Sequence, residues 1–186
     1  MALAGVGEAS LRSSIRETLQ GRTTWLLVNL LTAILASVVI GVFDATIEQL
    51  VALAVLMPIV ASMGGNAGTQ TVTVAVRAIA LRQLDAVSTR NFVIREGFVA
   101  LLNGLLFAVL AAVVSFVWFG DPEIAAVMAV AMLANLLIAG LSGTLVPIGL
   151  LRAGIDPAVA SSVFVTTITD VVGFFVFLGL AALYLM

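Results

Sequence analysis

Long charge-free runs, with every basic residue confined to alternate gaps between them, constrain this chain more than anything else in it. The runs cover residues 23–43, 49–76, 97–120, 124–151 and 157–186, and only the last is interrupted, by Asp170. Each reaches the roughly 20 residues that an α-helix needs to cross the hydrocarbon core of a bilayer. The longer ones exceed that length and call for tilt, kinks or interfacial ends, for which Pro58 and Pro147 are candidates. The chain is 62% hydrophobic and 10% charged, where a soluble domain is nearer half apolar and a quarter charged. These features predict an all-α membrane protein: five transmembrane helices in one domain over 23–186, preceded by a polar segment, 1–22.

Arg12, Arg16 and Arg22 precede the first run, Arg77, Arg82, Arg90 and Arg95 lie between the second and third, and Arg152 lies between the fourth and fifth. The other two connections hold Asp44 and Glu48, then Asp121 and Glu123, with no basic residue. All eight basic residues therefore fall on one side, which the positive-inside rule makes cytoplasmic. Five crossings then put the N-terminus inside and the C-terminus outside, in a multi-pass protein of the cytoplasmic membrane. Within 1–22, Leu11, Ile15 and Leu19 share a helical face apart from Arg12 and Arg16, as in an interfacial or domain-connecting amphipathic helix. The segment is too polar for a signal peptide. The lipid bilayer is the expected environment, and no nucleic acid partner is expected.

Inside the second run lies Gly64-Gly65-Asn66-Ala67-Gly68-Thr69-Gln70. Its glycines weaken a helix, and Asn66, Thr69 and Gln70 are costly in hydrocarbon unless something hydrogen-bonds them. Polar or irregular backbone at membrane depth is tolerated where it is buried in protein or lines a watery path. Gly64 and Gly68 also fit the close helix packing of a GxxxG pair. Packing accounts for the glycines alone. Carbonyls freed from the helix and offered to a cation account for the polar residues as well.

Asp170 is the one ionisable carboxylate or base within any run, about 20 Å from the inner start of its helix. A central Asp costs about 2.5–3.5 kcal/mol on insertion scales, and such residues face a cavity or a partner. No Arg or Lys lies within the runs to pair with it. Ser162, Thr166, Thr167 and Gly173 fall on its helical face, and oxygen donors around one carboxylate suit a hard cation such as Mg²⁺, Ca²⁺ or Mn²⁺. Each hydroxyl taken singly fits packing or back-bonding to its own helix. Asn66 lies about 15 Å from the inner end of its own span, so the two features sit at similar depth.

The acidic outer connections concentrate cations at an external mouth. With no Cys and no His, thiolate and imidazole ligation are excluded, and with them His-based catalysis. An intramembrane hydrolase needs a second carboxylate or a Ser–His pair, so no enzyme is expected. Met57, Met63, Met128 and Met132 read as gap-filling rather than as a soft-metal track. Asn29, Asn103 and Asn135 read as interhelical hydrogen-bond donors. Trp25, Phe116, Trp118 and Phe119 read as interfacial anchors.

Pro58-Ile-Val-Ala-Ser-Met-Gly-Gly-Asn-Ala-Gly-Thr-Gln70, with Arg77-Ala-Ile-Ala-Leu-Arg82 after it, resembles the transmembrane domain of the MgtE family of magnesium channels. That family is related to eukaryotic magnesium solute carriers. Asp156-Pro-Ala-Val-Ala-Ser-Ser162 and Thr169-Asp-Val-Val-Gly173 resemble its last helix, although the family often has Asn where this chain has Ser162. The resemblance implies a homodimer with a pore between subunits. In it, Asp170 would hold a largely hydrated Mg²⁺, with Gly65, Asn66 and Thr69 lining the pore from the second span and Ser162 and Thr166 from the fifth. The family's cytoplasmic N-terminal and paired CBS domains have no counterpart in these residues, so regulation through them is not expected of this chain. The expected function is Mg²⁺ transport, as an inward-conducting channel. A carrier coupled to Na⁺ or H⁺, or a transporter of wider divalent range including Mn²⁺ and Co²⁺, uses the same residues.

Overall fold

In a computed structural model, residues 14–83 and 86–186 are described, and they form six helices. These are α1 (Ile15–Val42), α2 (Asp44–Gln49), α3 (Val51–Ala80), α4 (Ala86–Phe119), α5 (Pro122–Arg152) and α6 (Pro157–Tyr184). Five of them, all but the short α2, are long and apolar enough to cross a membrane. The all-helical expectation and the count of five spans are met. Residues 1–13 of the polar N-terminal segment, with Leu11 and Arg12, lie outside the described residues. From Ile15 onward that segment continues without a break into the first span.

Two helix starts share one chemistry. Asp121 and Asp156 each precede a proline, and each side chain accepts from backbone N–H groups of the first turn, Glu123 N at 2.8 Å and Ala158 N at 2.9 Å. Proline at the first helical position gives up an N–H that has no helical partner anyway. At the other end of α5, Gly154 turns left-handed at φ 73°. There Gly154 N donates to Leu151 O and Ile155 N to Leu150 O, which caps the last carbonyls.

α5 is the hub. It packs against α3, α4 and α6, and more than half of its most apolar stretch is buried. α1 packs chiefly on α6 and leaves nearly all of its leucine-rich surface open. α3 and α4 scarcely meet, so a groove floored by α5 runs between them. Large apolar side chains fill the end of the bundle where α3 and α5 begin and α6 ends: Leu53, Leu56, Val60, Met128, Met132, Phe177 and Leu178 are buried there. Met57 and Met63 pack against this cluster, so the methionines serve as core.

Pro58 and the glycine-rich segment do not interrupt α3. Hydrogen-bonded helix runs through both, and α5 likewise continues through Pro147. The expectation of carbonyls freed along Gly64–Gln70 is therefore corrected. The physical reason is tertiary: the helical weakness of glycine is modest, about 1 kcal/mol per residue. The close packing that its missing side chain permits outweighs that weakness.

Candidate cation site at membrane depth

Asn135 of α5 shows what the glycines do. Its side chain is fully buried, and its Nδ2 donates to Val60 O of α3 at 2.7 Å. A Cβ on Gly64 would collide with that amide, and one on Gly173 of α6 would lie 2.8 Å from Nδ2. Two glycines on two helices thus make the slot that holds one asparagine of a third. One turn further along α3, a Cβ on Gly68 would lie 2.5 Å from Val165 Cγ1 of α6. Below that, a Cβ on Gly143 would meet Gly68 O at 2.9 Å. The glycines of this segment let α3 touch α5 and α6 nearly backbone to backbone. Gly173, expected beside Asp170 on a polar stripe, belongs to this packing instead.

The opposite side of α3 is polar and open. Asn66, Thr69 and Gln70 are exposed, as are Ser62 and Thr73 at neighbouring turns. Asn66 Nδ2 donates to Ser62 Oγ at 3.4 Å, and Thr69 Oγ1 donates to Gly65 O at 2.8 Å. Gly65 stands at the border of the two faces, where a Cβ would sit 3.7 Å from Thr166 Cγ2. The structure therefore brings Gly65 and Thr166 together and leaves Asn66 and Thr69 on the adjoining exposed surface. Ser162 is half-buried one turn before Thr166 on α6, and its carbonyl accepts from Thr166 Oγ1 at 3.0 Å.

Asp170, half-buried, lines a cavity of about 390 Å³ between α1 and α6. Thr166 and Thr167 share its wall on α6, while Asn29 and Thr32 face it from α1 among Leu26, Leu30 and Ala33. Thr166 and Thr167 both donate their hydroxyl protons back to α6 carbonyls, Thr167 to Val163 O at 2.6 Å. A hydroxyl whose proton is used this way offers only lone pairs to anything else. With Asp170, the wall is one of oxygen acceptors. No hydrogen bond or ion pair engages the Asp170 carboxylate among the described residues, nor do three residues drawn from His, Cys, Asp and Glu come together. The site offers one charge and several neutral oxygens, which suits a hard cation that keeps part of its water shell.

Asn29, expected as an interhelical hydrogen-bond donor, takes a different place. Its side chain makes no hydrogen bond among the described residues and lines the cavity instead. The available signal was its spacing with Thr32, three residues apart on one face of an otherwise leucine-rich span. Of Asn29, Asn103 and Asn135, only Asn135 bonds across helices among the described residues.

The profile of the MgtE family, described as divalent cation transporters, matches residues 57–180. The chain belongs to the MgtE family. Curated relatives agree. The magnesium transporter MgtE of Bacillus subtilis is 32% identical over 164 residues, 88% of this chain and 36% of that protein. The protein of the same name from Thermus thermophilus is 35% identical over 164 residues, again 88% of this chain and 36% of the relative. That of Enterococcus faecalis is 27% identical over 183 residues, 98% of this chain and 40% of the relative. The chain thus spans about two fifths or less of the length of the MgtE proteins it matches. The family match takes in Gly65, Asn66, Thr69, Ser162, Thr166 and Asp170, but not Asn29 and Thr32 on α1.

Proposed function

We propose that this chain conducts Mg²⁺ across the cytoplasmic membrane, inward, as a channel formed by two copies. The observation that carries the proposal is the Asp170 cavity, in which a lone carboxylate at membrane depth stands among neutral oxygens. Supporting it, the MgtE family is one of divalent cation transporters, and the relatives carry the name magnesium transporter. Mg²⁺ sheds its water reluctantly, so a roomy site acting through bound water fits it better than a tight cage. In this reading Asp170 supplies the charge. Thr166 and Ser162 on α6, and Gly65, Asn66 and Thr69 on α3, offer oxygens to the hydration shell along the path.

Homodimer formation is part of the proposal. The open face of α3 carries Ser62, Asn66, Thr69 and Thr73, and such a face is unfavourable against lipid. Paired with its counterpart in a second copy, it becomes the wall of a watery path, and two Asp170 carboxylates then balance a dication. The arginines set the N-terminus inside and the C-terminus outside. An inside-negative potential favours entry of two charges by about 4.6 kcal/mol per 100 mV, so no coupling ion is required.

The test is Mg²⁺ influx into liposomes holding the purified protein, driven by an imposed potential without a Na⁺ or H⁺ gradient. Influx that follows the potential and is blocked by hexaamminecobalt(III), an octahedral cation of similar size to hydrated magnesium, is the expected result. Flux that needs an opposing Na⁺ or H⁺ gradient converts the channel to a carrier, and absence of Mg²⁺ flux under every gradient overturns the proposal.

A further inference from the structure

A second polar cavity lies in the groove between α3 and α4, floored by α5, away from the Asp170 cavity. It measures about 260 Å³ and is lined by Gln70, Thr71, Arg95, Glu96 and Asn103, with apolar neighbours. Glu96 is 9% exposed, and its carboxylate makes no hydrogen bond or ion pair among the described residues. Tight packing of α4 on α5 explains its burial: a Cβ on Gly140 would collide with Ala100 Cβ and lie 3.6 Å from Glu96 O. Gln70 and Asn103 line the same cavity, and neither side chain has a hydrogen-bond partner among the described residues.

A carboxylate that opens onto a confined cavity with apolar neighbours, and has no partner among the described residues, is stabilised by a cation placed beside it. The groups around it are amide and hydroxyl oxygens, the donors preferred by hard cations. Space is adequate as well, since six waters of a hydrated divalent ion occupy about 180 Å³ at roughly 30 Å³ each. Arg95 is exposed on the rim and opposes a cation, so the ion belongs on the Glu96 side of the cavity. Gln70 closes the glycine-rich segment, and here it gains a role that the Asp170 site does not give it.

We propose that the α3–α4 groove is a second site for hydrated Mg²⁺, with Glu96 as its charged ligand and Gln70, Thr71 and Asn103 as neutral oxygen donors. The inference rests on the reading that this chain handles divalent cations, but not on Asp170 being a ligand. Titration of Mg²⁺ onto the full chain in lipid nanodiscs tests it. Wild type is expected to show two classes of binding, Asp170→Ala one, Glu96→Gln the other, and the double variant neither. Glu96→Gln keeps size and shape, and Asn103→Ala gives an independent probe that weakens the Glu96 class several-fold. Arg95→Gln is expected to strengthen that class several-fold. Loss of all binding in Asp170→Ala, or titrations of Glu96→Gln and Asn103→Ala that match wild type, overturns the second site. If Asp170→Ala binds as wild type does while Glu96→Gln loses a class, the Asp170 assignment falls and the second site stands.

Discussion

The two sides of α3 carry residues from one short stretch of sequence and do opposite work. On one side Gly64 and Gly68 are buried, and each lacks a side chain because another helix occupies that space. On the other, Asn66 and Thr69 are exposed and make only local hydrogen bonds. Glycine here is a packing residue that holds the helix against α5 and α6, and the polar residues between the glycines are what that packing presents. A segment that reads in sequence as a break in the helix is thus a continuous helix with two unlike faces.

That difference is broken most severely from the packed side. Gly64→Val drives a branched side chain into the Asn135 amide, and overpacking of this kind costs about 1–3 kcal/mol or more. We expect a lowered unfolding temperature in detergent together with lost Mg²⁺ flux. A next, smaller effect is a coupling. Asn135→Ala forfeits an interhelical hydrogen bond, worth about 0.6–2 kcal/mol in membrane proteins, but also vacates the slot. Gly64→Ala is therefore expected to cost less than half as much stability in the Asn135→Ala background as in wild type. Equal costs in both backgrounds would mean that the asparagine is not what the glycine makes room for.

On the open face the balance reverses. Asn66→Ala and Thr69→Ala are expected to leave stability within about 0.5 kcal/mol of wild type, because neither side chain is packed. Flux measured in the same preparations is expected to fall several-fold. A drop in stability without a change in flux would make this face structural and end the contrast. Asn29→Ala is the mildest case: with no hydrogen bond to lose, its stability should not move, and its flux should fall by less than that of any Asp170 variant.

Much of this was legible in the sequence, and the parts that were not share a cause. The spans follow from charge-free length, a local property. Asp170 stood out as the one carboxylate or base that interrupts an otherwise charge-free run. Contacts between helices were out of reach. That Gly64 and Gly173, more than a hundred residues apart, close on the same Asn135 depends on how α3, α5 and α6 cross. For the same reason Gly173 looked like part of a polar stripe, and Asn29 looked like an interhelical donor. Glu96 escaped notice because it stands beside the boundary of an uncharged run, where a carboxylate passes for an interfacial one, whereas the structure buries it.

The central claim is that Asp170 holds the conducted ion. Mg²⁺ influx into liposomes should be compared for wild type, Asp170→Asn and Asp170→Ala at equal amounts of folded protein. Flux reduced at least tenfold in both variants, with unfolding temperatures at or above that of wild type, is the predicted result. Mg²⁺ flux in Asp170→Ala equal to wild type would contradict it.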